Sequence, residues 1–302
     1  MAVLTHASAL PAPDSNICPF DARRVVLHRP PEAAQQGSDY MNASHVSPPH
    51  LRAIASQGPT HPRWHGPDTT GDFWSAVWEQ GVETIVALAK VQPGFSGSSR
   101  YWPEAVGETE PACGWAALSV TLLSEVDGSH FTLRRLQLSL SDDAGRDTRA
   151  VTHLHYDRWP NYGVPDSPDD VAALLLTVES IEKKRLGQLQ AGAAADGAEA
   201  PAAPPLWVHC SGGVGRSGVF LTALSTYRSV FPTVAEGLAE TPQPFASPEA
   251  LADAVASTVA SLRGQRHPWM VEGREQYAFT HSVIIQACTV TAENGGSPSS
   301  DL

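Results

Sequence analysis

His209-Cys210-Ser211-Gly212-Gly213-Val214-Gly215-Arg216-Ser217-Gly218 is the stretch on which the reading of this chain turns. It holds one thiol and one guanidinium, with five residues between them, three of which are glycine. Glycines let successive backbone N–H groups turn to one side and form a concave anion site. A helix starting near Arg216 would add the positive end of its dipole. That field, with Arg216 across the loop, favours thiolate over thiol, so Cys210 is expected to be more acidic than a free cysteine. Arg216 offers a planar fork that can hold two phosphoryl oxygens at once, which a lysine cannot match. The loop residues Ser211, Gly212, Gly213, Val214, Gly215 and Arg216 are therefore the expected phosphate cradle, with Cys210 as its nucleophile. The residues between thiol and guanidinium carry no Lys or Arg, which disfavours a polyanionic lipid head group.

Outward from the loop, Pro205 to Cys210 reads as a short buried strand, giving strand, loop and helix in sequence. Further apolar runs at 83–89, 115–123, 131–138 and 151–156 predict more strands of one mixed, twisted sheet. Ser167-Pro168-Asp169-Asp170 and Ser247-Pro248-Glu249 are helix starts, each with a capping hydroxyl, an early proline and acids in the first turn. Apolar residues follow each at helical spacing. The fold class is thus α/β, a sheet flanked by helices. The stretch 187–205 is rich in Ala, Gly and Pro and, with the polar end 291–302, is expected to be mobile.

Charge and cysteine usage narrow the function. Twenty Lys plus Arg against 32 Asp plus Glu leave a formal net charge of −12, which argues against nucleic acid or anionic membrane as the main partner. The four cysteines (Cys18, Cys113, Cys210, Cys288) are widely spaced with no metal pattern, so no metal or other cofactor is expected. A nucleophilic thiolate needs a reducing compartment, which points to a cytoplasmic location. Residues 1–22 carry neither a basic segment nor a long apolar run, so no signal peptide or membrane span is expected there.

Cys-x5-Arg loops serve several unrelated phosphate and arsenate enzymes, and the rest of the chain chooses among them. PFDARRVVL (19–27), SDYMNAS (38–44), SQGP (56–59), GDFWSAVWEQGVETIVAL (71–88), RYWPE (100–104), HLHYDRWPNYGVPDSP (153–168) and REQYAF (274–279) stand in the order found in phosphotyrosine-specific, cysteine-dependent protein tyrosine phosphatases. The chain resembles that family from about Asn16 to Cys288. The resemblance implies one catalytic domain over 14–290, preceded by an extension (1–13) and followed by the tail (291–302). It also implies a monomer that acts on tyrosine-phosphorylated proteins through a phosphocysteine intermediate. Ser217 would supply the hydroxyl that helps Cys210 leave. Gln276 matches a water-positioning glutamine. Asn16 and Trp159 would lie at the substrate, and His209 would order the loop. Glu108 is taken as the acid that buttresses Arg216, with Glu104 and Glu110 as alternatives.

Two departures alter the expected chemistry. After Trp159-Pro160 the family places an aspartate that protonates the leaving phenolate, whereas Asn161 stands here. An amide cannot donate that proton, so cleavage of a poor leaving group should be slow. Asp157 and Asp166 flank the position as possible substitutes. The second departure is Glu272, where the resemblance implies a glutamine that positions the hydrolytic water; its carboxylate could orient water, act as a base, or repel phosphate. The family's aromatic pocket wall corresponds to Asp14 and is missing. Two functions follow: a phosphatase with a weakened acid step, or a module that binds phosphotyrosine proteins without efficient turnover.

Overall fold

A computed structural model describes residues 17–28, 39–61, 67–92, 98–112, 117–142, 145–160, 163–195, 197–199, 201–232 and 244–295. The apolar run before the thiol forms β9 (Leu206–Cys210), buried at all five positions. A strand covered on both faces needs a continuous apolar sequence rather than an alternating one. The strands β1 (Arg24–Val26), β2 (Tyr40–Val46), β3 (Ala53–Gln57), β4 (Thr84–Ala87), β5 (Thr109–Pro111), β6 (Leu118–Asp127), β7 (Thr132–Asp142) and β8 (Gly145–His155) join it in a single mixed sheet, ordered β1-β2-β3-β9-β4-β8-β7-β6-β5. β9 is parallel to both neighbours, pairing Cys210 with Gln57 of β3 and His209 with Ala87 of β4.

Five helices cover the sheet among the described residues: α1 (Thr70–Glu79), α2 (Asp169–Ala195), α3 (Gly215–Val230), α4 (Pro248–Gln265) and α5 (Gly273–Glu293). Successive side chains of a strand point to opposite faces. On β9 that alternation sends Trp207 to the α1 side, among Phe73, Trp74, Ile54 and Ile85. Val208 and Cys210 go to the other side, among residues of α2 to α5 such as Leu174, Phe220, Val259 and Val283. Full burial of each such Leu, Val or Phe contributes about 1.5–3 kcal/mol, so both faces of β9 are firmly held. None of the helices described is long and apolar enough to cross a membrane.

The two helix starts form as the sequence predicts. Ser247 is extended and its Oγ accepts from Ala250 N at 3.3 Å, with Pro248 opening α4. Ser167 Oγ accepts from Asp169 N at 3.2 Å at the start of α2. The stretch 187–205 departs from expectation: its first part, through Ala195, continues α2. Ala191, Ala193, Ala194 and Ala195 are strong helix formers, and their propensity outweighs the reading of low complexity as loop. Gly197, at φ 64°, then closes the helix, with Gly197 N donating to Ala194 O and Ala198 N to Ala193 O. At the other end α5 reaches Glu293, three residues into the stretch expected to be mobile.

Candidate active site

The stretch from Cys210 to Arg216 crosses from the end of β9 into the first turn of α3. No side chain caps α3, so its first N–H groups are left for an anion. Four successive carbonyls of the loop are held from outside. Cys210 O accepts from His209 Nδ1 at 3.3 Å, and Ser211 O from Gly58 N at 2.9 Å. Gly212 O and Gly213 O accept from Arg266 Nη2 and Nε, each at 3.3 Å. No peptide described is cis, and in a trans peptide the C=O and the following N–H point opposite ways. Anchoring each carbonyl outward therefore turns the N–H of Ser211, Gly212, Gly213 and Val214 to the other side, as an anion nest requires. Gly213 N gives the direct case, donating to Cys210 Sγ at 3.2 Å.

Glycine is required at two of these contacts. Gly213 has φ 72°, and a Cβ there would lie 2.1 Å from Ser56 O. A Cβ on Gly58 would lie 2.5 Å from Cys210 O. The Ser56-Gln57-Gly58-Pro59 segment is thus the back wall of the loop, which explains its place among the motifs.

Cys210 is buried, which by itself pushes its pKa up. The Arg216 guanidinium, the Ser217 hydroxyl and amide, and the Gly213 amide together outweigh that and hold the thiol below its ordinary value. The buried Ser217 hydroxyl makes no regular hydrogen bond and acts on the sulfur as an oriented dipole. Arg216 is buried in the same turn. His209 contributes no charge. Burial, helped by the fields of His155 and Arg216, pulls its pKa down to about 3. With its proton on Nδ1 facing Cys210 O, its Nε2 accepts from the Tyr101 hydroxyl at 2.6 Å, and that oxygen accepts from His153 Nε2 at 2.8 Å. The ring thus joins the first loop carbonyl to the buried Tyr101 and His153.

Glu272 and Gln276, at the start of α5, bear on the same loop. A Cβ on Gly215 would lie 2.9 Å from Gln276 Oε1 and 3.3 Å from Glu272 Oε2. Gln276 is buried and its Oε1 accepts from Glu272 N at 2.9 Å, while Glu272 is exposed.

Two expectations are corrected. Glu108 is not beside Arg216: its Oε2 accepts from Glu104 N and Ala105 N at 3.1 and 3.0 Å, on an exposed turn leading into β5. β5 is the far edge strand, five places from β9, and Glu104 and Glu110 lie at that same edge. Nearness in sequence to Tyr101-Trp102 misleads because the chain leaves the core after Trp102. Trp159, expected at the substrate, is 2% exposed; its ring packs edge-on against Phe279 and Tyr156, and its Nε1 donates to Gly163 O. It pins the base of its loop from within the core. Asn16 and Asn161 lie outside the described residues, as do Asp14 and Cys113.

Arg266 was not singled out from the sequence. It is fully buried, and besides the two loop carbonyls it donates to Asn42 Oδ1 at 2.7 Å, Asn42 O and Ser44 Oγ. Burial pulls its pKa down to about 10, against the fields of Tyr40, Cys210 and Cys18, so it stays charged at neutral pH. The available signal was the Asn42 and Ser44 pair in SDYMNAS, two polar residues in an otherwise strand-like run that call for a buried partner.

The comparisons agree with this geometry. The family model for protein-tyrosine phosphatase matches residues 13–286. Receptor-type tyrosine-protein phosphatase H of Homo sapiens is 34% identical over 283 residues, covering 92% of this chain and 21% of that protein. Tyrosine-protein phosphatase Lar-like of Caenorhabditis elegans is 30% identical over 276 residues, covering 90% and 10%. Receptor-type tyrosine-protein phosphatase F of Homo sapiens is 31% identical over 278 residues, covering 91% and 12%. The chain spans 10–21% of the length of these relatives. With a loop whose carbonyls are pinned outward around an acidified thiol, and a match over most of its length, the chain belongs to the protein-tyrosine phosphatase family.

Proposed function

We propose that the chain hydrolyses phosphotyrosine on proteins through a phosphocysteine at Cys210, with a weakened first step because Asn161 occupies the acid position. The observation that carries this is the thiol itself, held below its ordinary pKa by Arg216 and by amides of its own loop. In the first step a lone pair on Sγ attacks phosphorus, the bond from phosphorus to the tyrosine oxygen breaks, and the electron pair leaves on that oxygen. Arg216 and the inward N–H groups from Ser211 to Arg216 follow the phosphoryl oxygens as their charge shifts. In the second step water attacks phosphorus, the S–P bond breaks, and the electron pair returns to Cys210, where the Ser217 dipole receives it. Glu272, with Gln276 behind it, orients that water at Gly215. The domain is proposed to span residues 14–290, and a reducing compartment suits its thiolate.

Asn161 supplies the test. A positioned general acid contributes about 10²- to 10⁴-fold when the leaving group is poor and little when it is good. Asn161→Asp is expected to raise turnover of a phosphotyrosine peptide by on the order of 10²-fold, with far less effect on an activated aryl phosphate. If the unaltered chain already cleaves the peptide as fast as Asn161→Asp does, another group delivers the proton and the weakened-acid reading falls. A second reading, a module that retains phosphotyrosine proteins, is favoured by a loop whose carbonyls are held outward by Arg266, Gly58 and His209, which keeps its N–H groups for phosphate even where Asn161 leaves turnover without its acid. Tight peptide binding with no turnover of either substrate would select it.

A further inference from the structure

Val271 is buried and has φ 59°, a left-handed conformation that a β-branched side chain rarely adopts. Its amide is pressed against α3: a Cβ on Gly218 would lie 2.4 Å from Val271 N. Both carbonyls around the strained residue are gripped by a single side chain on α4. Arg263 Nε donates to Met270 O at 3.0 Å and Arg263 Nη2 to Val271 O at 3.1 Å. Such a two-pronged grip is what a rigid guanidinium does well and a lysine does poorly. The next residue is Glu272, whose direction follows from the backbone angles at Val271. If Val271 relaxed to negative φ, the Glu272 carboxylate would swing away from Gly215.

We propose that Arg263 is a positioning residue for the second chemical step. Its fork holds Val271 left-handed and so keeps Glu272 where it serves the water that cleaves the phosphocysteine. The inference rests on the reading of Glu272 given above. Arg263 itself is exposed, so truncating it leaves no cavity in the core. Glycine adopts positive φ without steric cost, and a glycine at 271 should make the fork dispensable.

The experiment quenches the enzyme with acid during turnover of a labelled activated aryl phosphate and follows phosphoenzyme formation and decay. Arg263→Ala is expected to form phosphoenzyme within about two-fold of the unaltered rate, because Cys210 and Arg216 are untouched, and to lose it on the order of ten times more slowly. Arg263→Lys should fall between. Adding Val271→Gly to Arg263→Ala should restore most of the decay rate. Glu272→Ala should slow decay by a similar factor, with no further loss when combined with Arg263→Ala, as expected for two residues acting as one unit. Equal slowing of formation and decay, no rescue by Val271→Gly, or no accumulation of phosphoenzyme in Arg263→Ala would overturn the proposal. Unchanged decay in Glu272→Ala would instead overturn the role of Glu272 itself. Normal decay in Arg263→Ala beside slow decay in Glu272→Ala would overturn the fork alone.

Discussion

Two buried polar clusters meet the phosphate loop from opposite sides of β9, and they are built in opposite ways. On one side Arg266 carries a full charge and places it on five acceptors, two of them carbonyls of the loop. On the other, the chain from His153 through Tyr101 to His209 is neutral and runs through an aromatic core of Phe73, Trp74 and Trp102. Both clusters perform one task, which is to hold a carbonyl outward so that the N–H behind it turns inward. The charged cluster holds two consecutive peptides, Gly212–Gly213 and Gly213–Val214, where the loop bends through the left-handed Gly213. The neutral one holds only the peptide that leaves β9, already directed by the strand. The difference locates what lowers the Cys210 pKa: burial keeps His209 neutral, so Arg216, Ser217 and the Gly213 amide act on the sulfur instead.

The largest test of this comparison removes the charged side. Arg266→Met should cost about 3–4 kcal/mol of stability, because it leaves the Asn42 and Ser44 side chains and two loop carbonyls without a donor inside the core. Affinity for vanadate should fall by on the order of 10²-fold as the N–H groups lose their direction. Denaturant unfolding and vanadate titration read the two effects. Loss of stability with unchanged vanadate affinity would mean that Arg266 supports the fold without shaping the loop.

A smaller effect probes the neutral side. The His209 pKa is about 3 in the folded chain and about 6.5 when unfolded, so below pH 6.5 the unfolded chain takes up a proton that the folded one refuses. Stability is therefore full above pH 6.5 and drains away as pH falls toward 3. Between pH 7 and pH 5 His209 alone removes about 2 kcal/mol. His153 and His155, also pulled down first by burial, act in the same direction. Glu182, whose carboxyl burial raises, offsets a part. Urea unfolding at the two pH values should show the loss; equal stability would mean that the histidines accept protons in place and that the cluster is not neutral.

The fold was legible where one residue pattern has one physical meaning. The glycines around Cys210, the serine and proline at two helix starts, and the apolar run of β9 each read correctly in isolation. β1 and β5 were not legible as strands because three residues carry no pattern, and β2 and β3 because polar residues (Asn42, Ser44 and His45; Ser56 and Gln57) interrupt their apolar runs. In the site, the nucleophile and the cradle are proposed from the spacing of Cys210, the glycines and Arg216, and Glu272 from the family resemblance. Arg266 was not legible, since a buried arginine looks like any other at the end of an amphipathic helix until its acceptors converge. Tyr101 and His153 carry no sequence signal for the same reason: what they do is make a contact across strands. Glu108 and Trp159 were placed by the resemblance, which carries a residue to a position without showing which edge or face of the sheet the chain has reached there.

The most direct measurement concerns Cys210 itself. The chain is mixed with an activated aryl phosphate, quenched in acid during turnover, and digested, and the peptide carrying Cys210 is weighed. That peptide is expected to carry the mass of one phosphoryl group, which is absent together with turnover in Cys210→Ser, while vanadate still binds that variant because Arg216 and the loop amides remain. Turnover that continues in Cys210→Ser, or a phosphoryl group found on any residue other than Cys210, would contradict that expectation.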